Sequence, residues 1–174
     1  MIFLGLDVSS RIVGYTLLRE NNELIKAGYI DLSKKNDLID KTEYLSNELL
    51  DICSGHKIDV IGIEDCLTKF TAGRSSIKTI GKLIAMNYLT RYICFVILNI
   101  KPIALNVRRA RSLADCKIPK GENAKEVVLE KVKGWYTDIE WPMMKRDTTR
   151  MAKEAEDVAD SVIIARALIQ ESKE

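Results

Sequence analysis

The chain of 174 residues has one histidine, three prolines, nine glycines and four cysteines, and each scarcity removes a class of chemistry. A lone histidine, His56, in a polar turn leaves serine and cysteine triads and histidine-rich zinc sites without their usual parts. The cysteines, Cys53, Cys66, Cys94 and Cys116, form none of the close pairs used by zinc or redox motifs. They are expected as reduced, mostly buried thiols. No Gly-rich phosphate loop is present, because Gly73-Arg74-Ser75-Ser76 lacks the spacing and the lysine of a Walker motif. The longest apolar run, Leu89 to Ile100, is interrupted by Arg91, Tyr92 and Asn99 and is too short to cross a bilayer. No membrane association is expected. The N-terminus opens directly on a strand pattern with no basic leader, so a secretory signal is not expected and a cytoplasmic location is.

What remains is 47% hydrophobic, the composition of one globular domain, expected to span residues 1–174. The net charge of +2 is near neutral, but its distribution is uneven. From Lys101 to Lys125 there are seven basic residues (Lys101, Arg108, Arg109, Arg111, Lys117, Lys120, Lys125) against Asp115 and Glu122. Such a stretch either neutralises phosphates or forms a solvated face.

Apolar and β-branched runs at 2–8, 12–18 and 23–31, separated by Ser9-Ser10-Arg11 and Asn21-Asn22, predict a three-strand antiparallel meander. Leu38, Leu45, Leu49 and Ile52 then recur at helical spacing, predicting a helix over about 36–53. The run from Ile58 to Glu64 reads as a buried strand, 75–98 as one long helix, and 100–106 as a fifth strand. A short helix over 107–114, a helix opened by Gly121-Glu122-Asn123, a loop containing Pro142 and a last helix from about Thr149 to Gln170 complete the pattern. The order predicts an α/β domain with a five-stranded mixed sheet, the meander plus two further strands, flanked by helices.

Three acidic places stand out. Asp7 lies inside an apolar strand, where an unpaired charge is costly to bury. Glu64-Asp65 ends the fourth strand, and either residue has the chemistry of a metal ligand. On the last helix Asp157 and Asp160, three apart, share a face with small and apolar neighbours. Clustered carboxylates are hard oxygen donors suited to magnesium or manganese, and two such ions can clamp an in-line phosphoryl displacement. The competing reading of Asp157 alone is an acid in a first helical turn, complementing the helix dipole.

Gly5-Leu6-Asp7-Val8-Ser9-Ser10 with Gly14-Tyr15, then Ile63-Glu64, then Asp157-Val158-Ala159-Asp160-Ser161, resembles the RuvC-type Holliday junction resolvases of bacteria and phages. The similarity extends through Pro102 to Val107, into Ala110-Arg111, and over the basic turn from Lys120 to Val127. The resemblance implies an RNase H-like fold, a homodimer, and paired magnesium-dependent cuts in a four-way DNA junction, with two ions per site and manganese able to substitute. It implies Asp7, Glu64, Asp157 and Asp160 as catalytic metal ligands and Lys125 as a residue near the scissile phosphate. Phe70 lies in the loop where the family places an aromatic wedge, and equally fits the core. Arg74, Arg108, Arg109, Arg111, Lys117 and Lys120 join Phe70 and Lys125 as candidate DNA contacts. The long helix over 75–98 is a candidate dimer interface or simply a cover for the sheet. Two further readings of function are an RNase H-like nuclease acting on RNA or RNA/DNA hybrids, and a non-catalytic nucleic-acid-binding protein.

Overall fold

The computed structural model describes residues 1–66 and 77–173. Strands β1 (Ile2–Val8), β2 (Ile12–Arg19) and β3 (Leu24–Asp31) form the expected meander, with Asp7 opposite Gly14 and Gly5 opposite Thr16. Helix α1 (Leu38–Cys53) starts at Asp37, whose carboxylate accepts the Ile39 and Asp40 N–H groups. Strand β4 (Val60–Glu64) returns parallel to β1, helix α2 (Ile77–Leu98) follows, and β5 (Ile103–Leu105) pairs parallel to β4. The sheet order is β3-β2-β1-β4-β5, a mixed five-stranded sheet. Helices α3 (Val107–Leu113), α4 (Ala124–Trp135) and α5 (Glu154–Glu171) complete the RNase H-like α/β fold.

Alternation along the strands divides the sheet into two faces. Leu4, Leu6, Val13, Leu17, Ile61 and Ile63 point to one side and pack with Leu45, Leu49 and Ile52 of α1 and Met86, Ile93 and Cys94 of α2. The opposite side carries Phe3, Gly5 and Asp7 of β1, Gly14, Thr16 and Leu18 of β2, and Gly62 and Glu64 of β4. Phe3 and Leu18 join a second core there with Val158, Val162 and Leu168 of α5 and Val128 and Val132 of α4. Three glycines therefore line the face on which α5 lies. Their missing side chains bring the helix close: a Cβ at Gly14 would stand 2.1 Å from the Asp157 carbonyl oxygen, and one at Gly5 2.3 Å from that of Ser161.

Two segments differ from the sequence expectation. The fifth strand is only three residues long, since Pro102 at its entrance has no N–H to donate to a ladder. The last helix begins at Glu154, not near Thr149; β6 (Met143–Met144) and β7 (Asp147–Met151) form a hairpin in its place. The β-branched pair Thr148-Thr149 favours extended backbone, and the Asp147 carboxylate holds the turn by accepting the Thr149 N–H and hydroxyl. The long helix expected over 75–98 is α2, 22 residues from Ile77 to Leu98, ended by Asn99 in the left-handed region at φ 54°. By length and composition it would suffice to cross a bilayer. One face of it, Met86, Asn87, Thr90, Ile93 and Cys94, is buried in the protein, while Tyr88, Tyr92, Phe95 and Val96 are exposed.

Candidate active site

The two parallel strands β1 and β4 end side by side, and Asp7 and Glu64 leave them on the α5 face. Their carboxyl groups share a hydrogen bond. Glu64 is held from behind by Asn87 of α2, whose Nδ2 donates to the Glu64 carbonyl at 2.8 Å. Its neighbour Asp65 turns away, paired with Arg91 at 3.0 Å and half exposed. Glu64, not Asp65, therefore faces Asp7. The first two turns of α5 bring Asp157 and Asp160 over the glycine-lined edge, and both act electrostatically on Asp7. Ser161, one residue on, ties this part of the helix to the sheet: its hydroxyl lies 2.7 Å from that of Thr16 and donates to the Val158 carbonyl.

Burial and mutual repulsion leave these acids reluctant to ionise. Burial first, then the charges of Glu64, Asp160 and Asp157, hold the Asp7 carboxyl well above the usual carboxylate range. Glu64 is pushed up to about 7, chiefly by burial and then by Asp160. Asp157 is pushed up to about 6 by burial, with Lys125 opposing the shift, and Asp160 is raised by burial against the pull of Arg111. Such displacement of four carboxyls at one place is typical of functional sites. The thiols are inert by the same measure, since burial drives Cys53 up to about 11 and Cys94 to about 12.

Among the described residues, two cations reach this cluster. Arg111 of α3 lies 3.6 Å from Asp160. Lys125, in the first turn of α4 behind the Asn123 cap, pairs with Glu156 and is felt by Asp160 and Asp157. The sequence pattern does not single out Glu156, because its role depends on α4 docking against α5. The other basic residues are placed differently. Arg109 binds Glu171 at 2.6 Å, at the other end of α5 from Asp157. Arg108, Lys117 and Lys120 are exposed. Phe70 and Arg74 lie outside the described residues.

Among the described residues, no group of three or more histidine, cysteine or carboxylate side chains is arranged to hold a metal ion. The donor set nevertheless fits a hard divalent cation in its chemistry. It consists of carboxylate oxygens from three elements, whose affinity for protons is raised chiefly by burial and further by one another's charge, and a cation would compete with those protons.

No model of a protein family matches the sequence, and no curated protein is significantly similar to it. Solved structures do resemble it. Thermus thermophilus RuvC in complex with a Holliday junction substrate matches with a TM-score of 0.69 and 13% identity, over 99% of this chain and 96% of that one. The chain has the RuvC-type resolvase fold. The yeast mitochondrial Holliday junction resolvase matches at 0.59 and 18% identity, over 97% of this chain and 77% of that one. The Fowlpox virus resolvase in complex with Holliday junction DNA matches at 0.57 and 16% identity, over the whole of both chains. At these identities the RuvC likeness is one of fold, so the assignment of chemistry rests on the residues of this chain.

Proposed function

We propose that this protein is a magnesium-dependent endonuclease that resolves four-way DNA junctions. The observation that carries the reading is the convergence of Asp7, Glu64, Asp157 and Asp160, from three separate elements, into one electrostatically coupled group. Buried repelling carboxylates are costly to keep, and a divalent-cation site explains them. In this reading the four acids hold magnesium, or manganese in its place, as two ions that supply Lewis-acid stabilisation and an activated water. Glu64 and Asp7 would hold the cation from the strand ends. Asp160 and Asp157 close the site from the helix, with Arg111 and Lys125 moderating their charge. Lys125 is exposed enough to exchange Glu156 for a phosphate oxygen, and Arg108, Lys117 and Lys120 present further positive charge to a DNA backbone. Phe70 and Arg74 complete the proposed DNA contacts.

A junction has two strands to cut, so symmetric incision calls for two sites, which a twofold dimer supplies. The exposed apolar side of α2, with Tyr88, Tyr92, Phe95 and Val96, is the surface assigned to the second copy. A non-catalytic reading draws support from one observation, the lack of a ready-made ion cage among the described residues.

One comparison tests the proposal: cleavage of a synthetic four-way junction, a linear duplex and an RNA/DNA hybrid at one salt concentration, with and without magnesium. The expected result is paired nicks in the junction alone, only with metal. Hybrid cleavage would move the substrate to RNA. No cleavage of any substrate, together with no manganese binding by calorimetry, would leave the non-catalytic reading.

A further inference from the structure

The β6–β7 hairpin has no structural task that its residues explain. Met143 and Met144 are 39% and 42% exposed, and Lys145, Arg146, Thr148, Thr149 and Arg150 are exposed as well, so its strands add little to the core. An isolated two-stranded hairpin is marginal in water. This one is held at its base, where Ala152 N–H donates to the Pro142 carbonyl at 2.8 Å and Trp141 packs on the core beneath. The same base leads straight into the first turn of α5. Asp157 is therefore five residues beyond the hairpin's closing hydrogen bond.

The charge of the hairpin is one-sided. Lys145 and Arg146 form its tip, between the paired Met144 and Asp147. Arg150 projects from β7 on the opposite side from Asp147 and Thr149, and Lys153 follows at the base. Among the described residues none of these four cations has a carboxylate partner, in contrast to Arg109, Arg111, Lys125 and Lys131, which all do. The one acid of the hairpin, Asp147, is occupied by Thr149. Its arm length also suits a nucleic acid strand. Five residues of β7 at about 3.4 Å each place the tip roughly 17 Å from Met151, the axial rise of about five nucleotides.

Resting on the nuclease reading above, we infer that the hairpin is a DNA-gripping arm: Lys145, Arg146 and Arg150 contact phosphates of the junction arm that leads away from the scissile position. The contacts are to backbone, so they add affinity and orientation without base preference.

The test measures junction binding by Arg146→Ala/Arg150→Ala across a salt series, beside wild type and a control, Lys26→Ala/Lys57→Ala, which removes two exposed cations elsewhere on the surface. Thermal unfolding of each protein checks that the fold is intact. The slope of log affinity against log salt is expected to fall by about 1.8 for the hairpin variant, at about 0.9 per lost phosphate contact, with affinity down on the order of tenfold. The control is expected to keep the wild-type slope. Equal slopes in wild type and hairpin variant, with wild type binding and nicking the junction, would overturn the inference alone. A wild-type protein that neither binds nor nicks the junction would overturn the nuclease reading, and this inference with it.

Discussion

Replacing Gly14 with alanine should separate α5 from the sheet and loosen the carboxylate cluster at the same time. A Cβ at this position would stand 2.1 Å from the Asp157 carbonyl oxygen and 2.5 Å from its carbon, whereas ordinary contact begins at 3.4 Å. A gap of 3.4 minus 2.1, or 1.3 Å, must therefore open. The obstructing atoms are helix backbone, which cannot swing aside as a side-chain end would. Overpacking of this kind costs about 1–3 kcal/mol, and a backbone clash belongs at the upper end. For a chain of this length about 3 kcal/mol corresponds to a melting temperature lower by roughly 6–12 °C. The same shift moves Asp157 relative to Asp7 by on the order of 1 Å, enough to slow a reaction about a hundredfold. Gly134, in α4 with nothing within 4 Å of its virtual Cβ, is the control: alanine there should stabilise by up to about 1 kcal/mol. The assay is thermal unfolding of both variants, followed by single-turnover nicking of a junction well below either transition. A Gly14→Ala protein that melts and cuts like wild type would refute the close approach of α5.

Two further outcomes follow from the same region. Ser161→Ala should cost about 1–3 kcal/mol, because the buried Thr16 hydroxyl loses its partner, and adding Thr16→Val should recover part of the loss; additive losses in denaturant unfolding would contradict the pairing. In chelator, stability should fall as pH rises from 5 to 8. Glu64 and Asp157 have folded-state pKa values raised to about 7 and about 6, so their contribution is complete below the unfolded carboxylate range and is lost as pH passes through those values. Asp31 and Asp147 are held below the usual range and titrate beneath this window. Manganese at pH 8 should restore the loss; a melting temperature that is flat or rising from pH 5 to 8 in chelator would contradict the scheme.

The strand meander and the α1 periodicity are legible in the sequence because each depends on local alternation, at Leu4, Leu6, Val13 and Leu17 or at Leu45, Leu49 and Ile52. The four acids are legible for a related reason: a carboxylate in an apolar strand or on a helix face of small residues breaks the local pattern. Which acid of Glu64-Asp65 faces inward is not legible, since it depends on the parallel register of β4 against β1 and on Arg91 reaching Asp65. The use of Gly5, Gly14 and Gly62 is equally hidden. Their spacing looks like ordinary strand glycine until α5 is laid across them. The hairpin is obscured because the charges of 145–153 fit a helix start as well as a turn, and only the pairing of Met143 with Met151 and of Met144 with Asp147 decides between the two.

The measurement that bears most directly on the central claim is magnesium-dependent incision of a four-way DNA junction by wild type and Asp7→Asn, with junction binding followed in parallel. The account predicts paired nicks by wild type, none by Asp7→Asn, and binding that is largely kept. Incision by Asp7→Asn at the wild-type rate would contradict it.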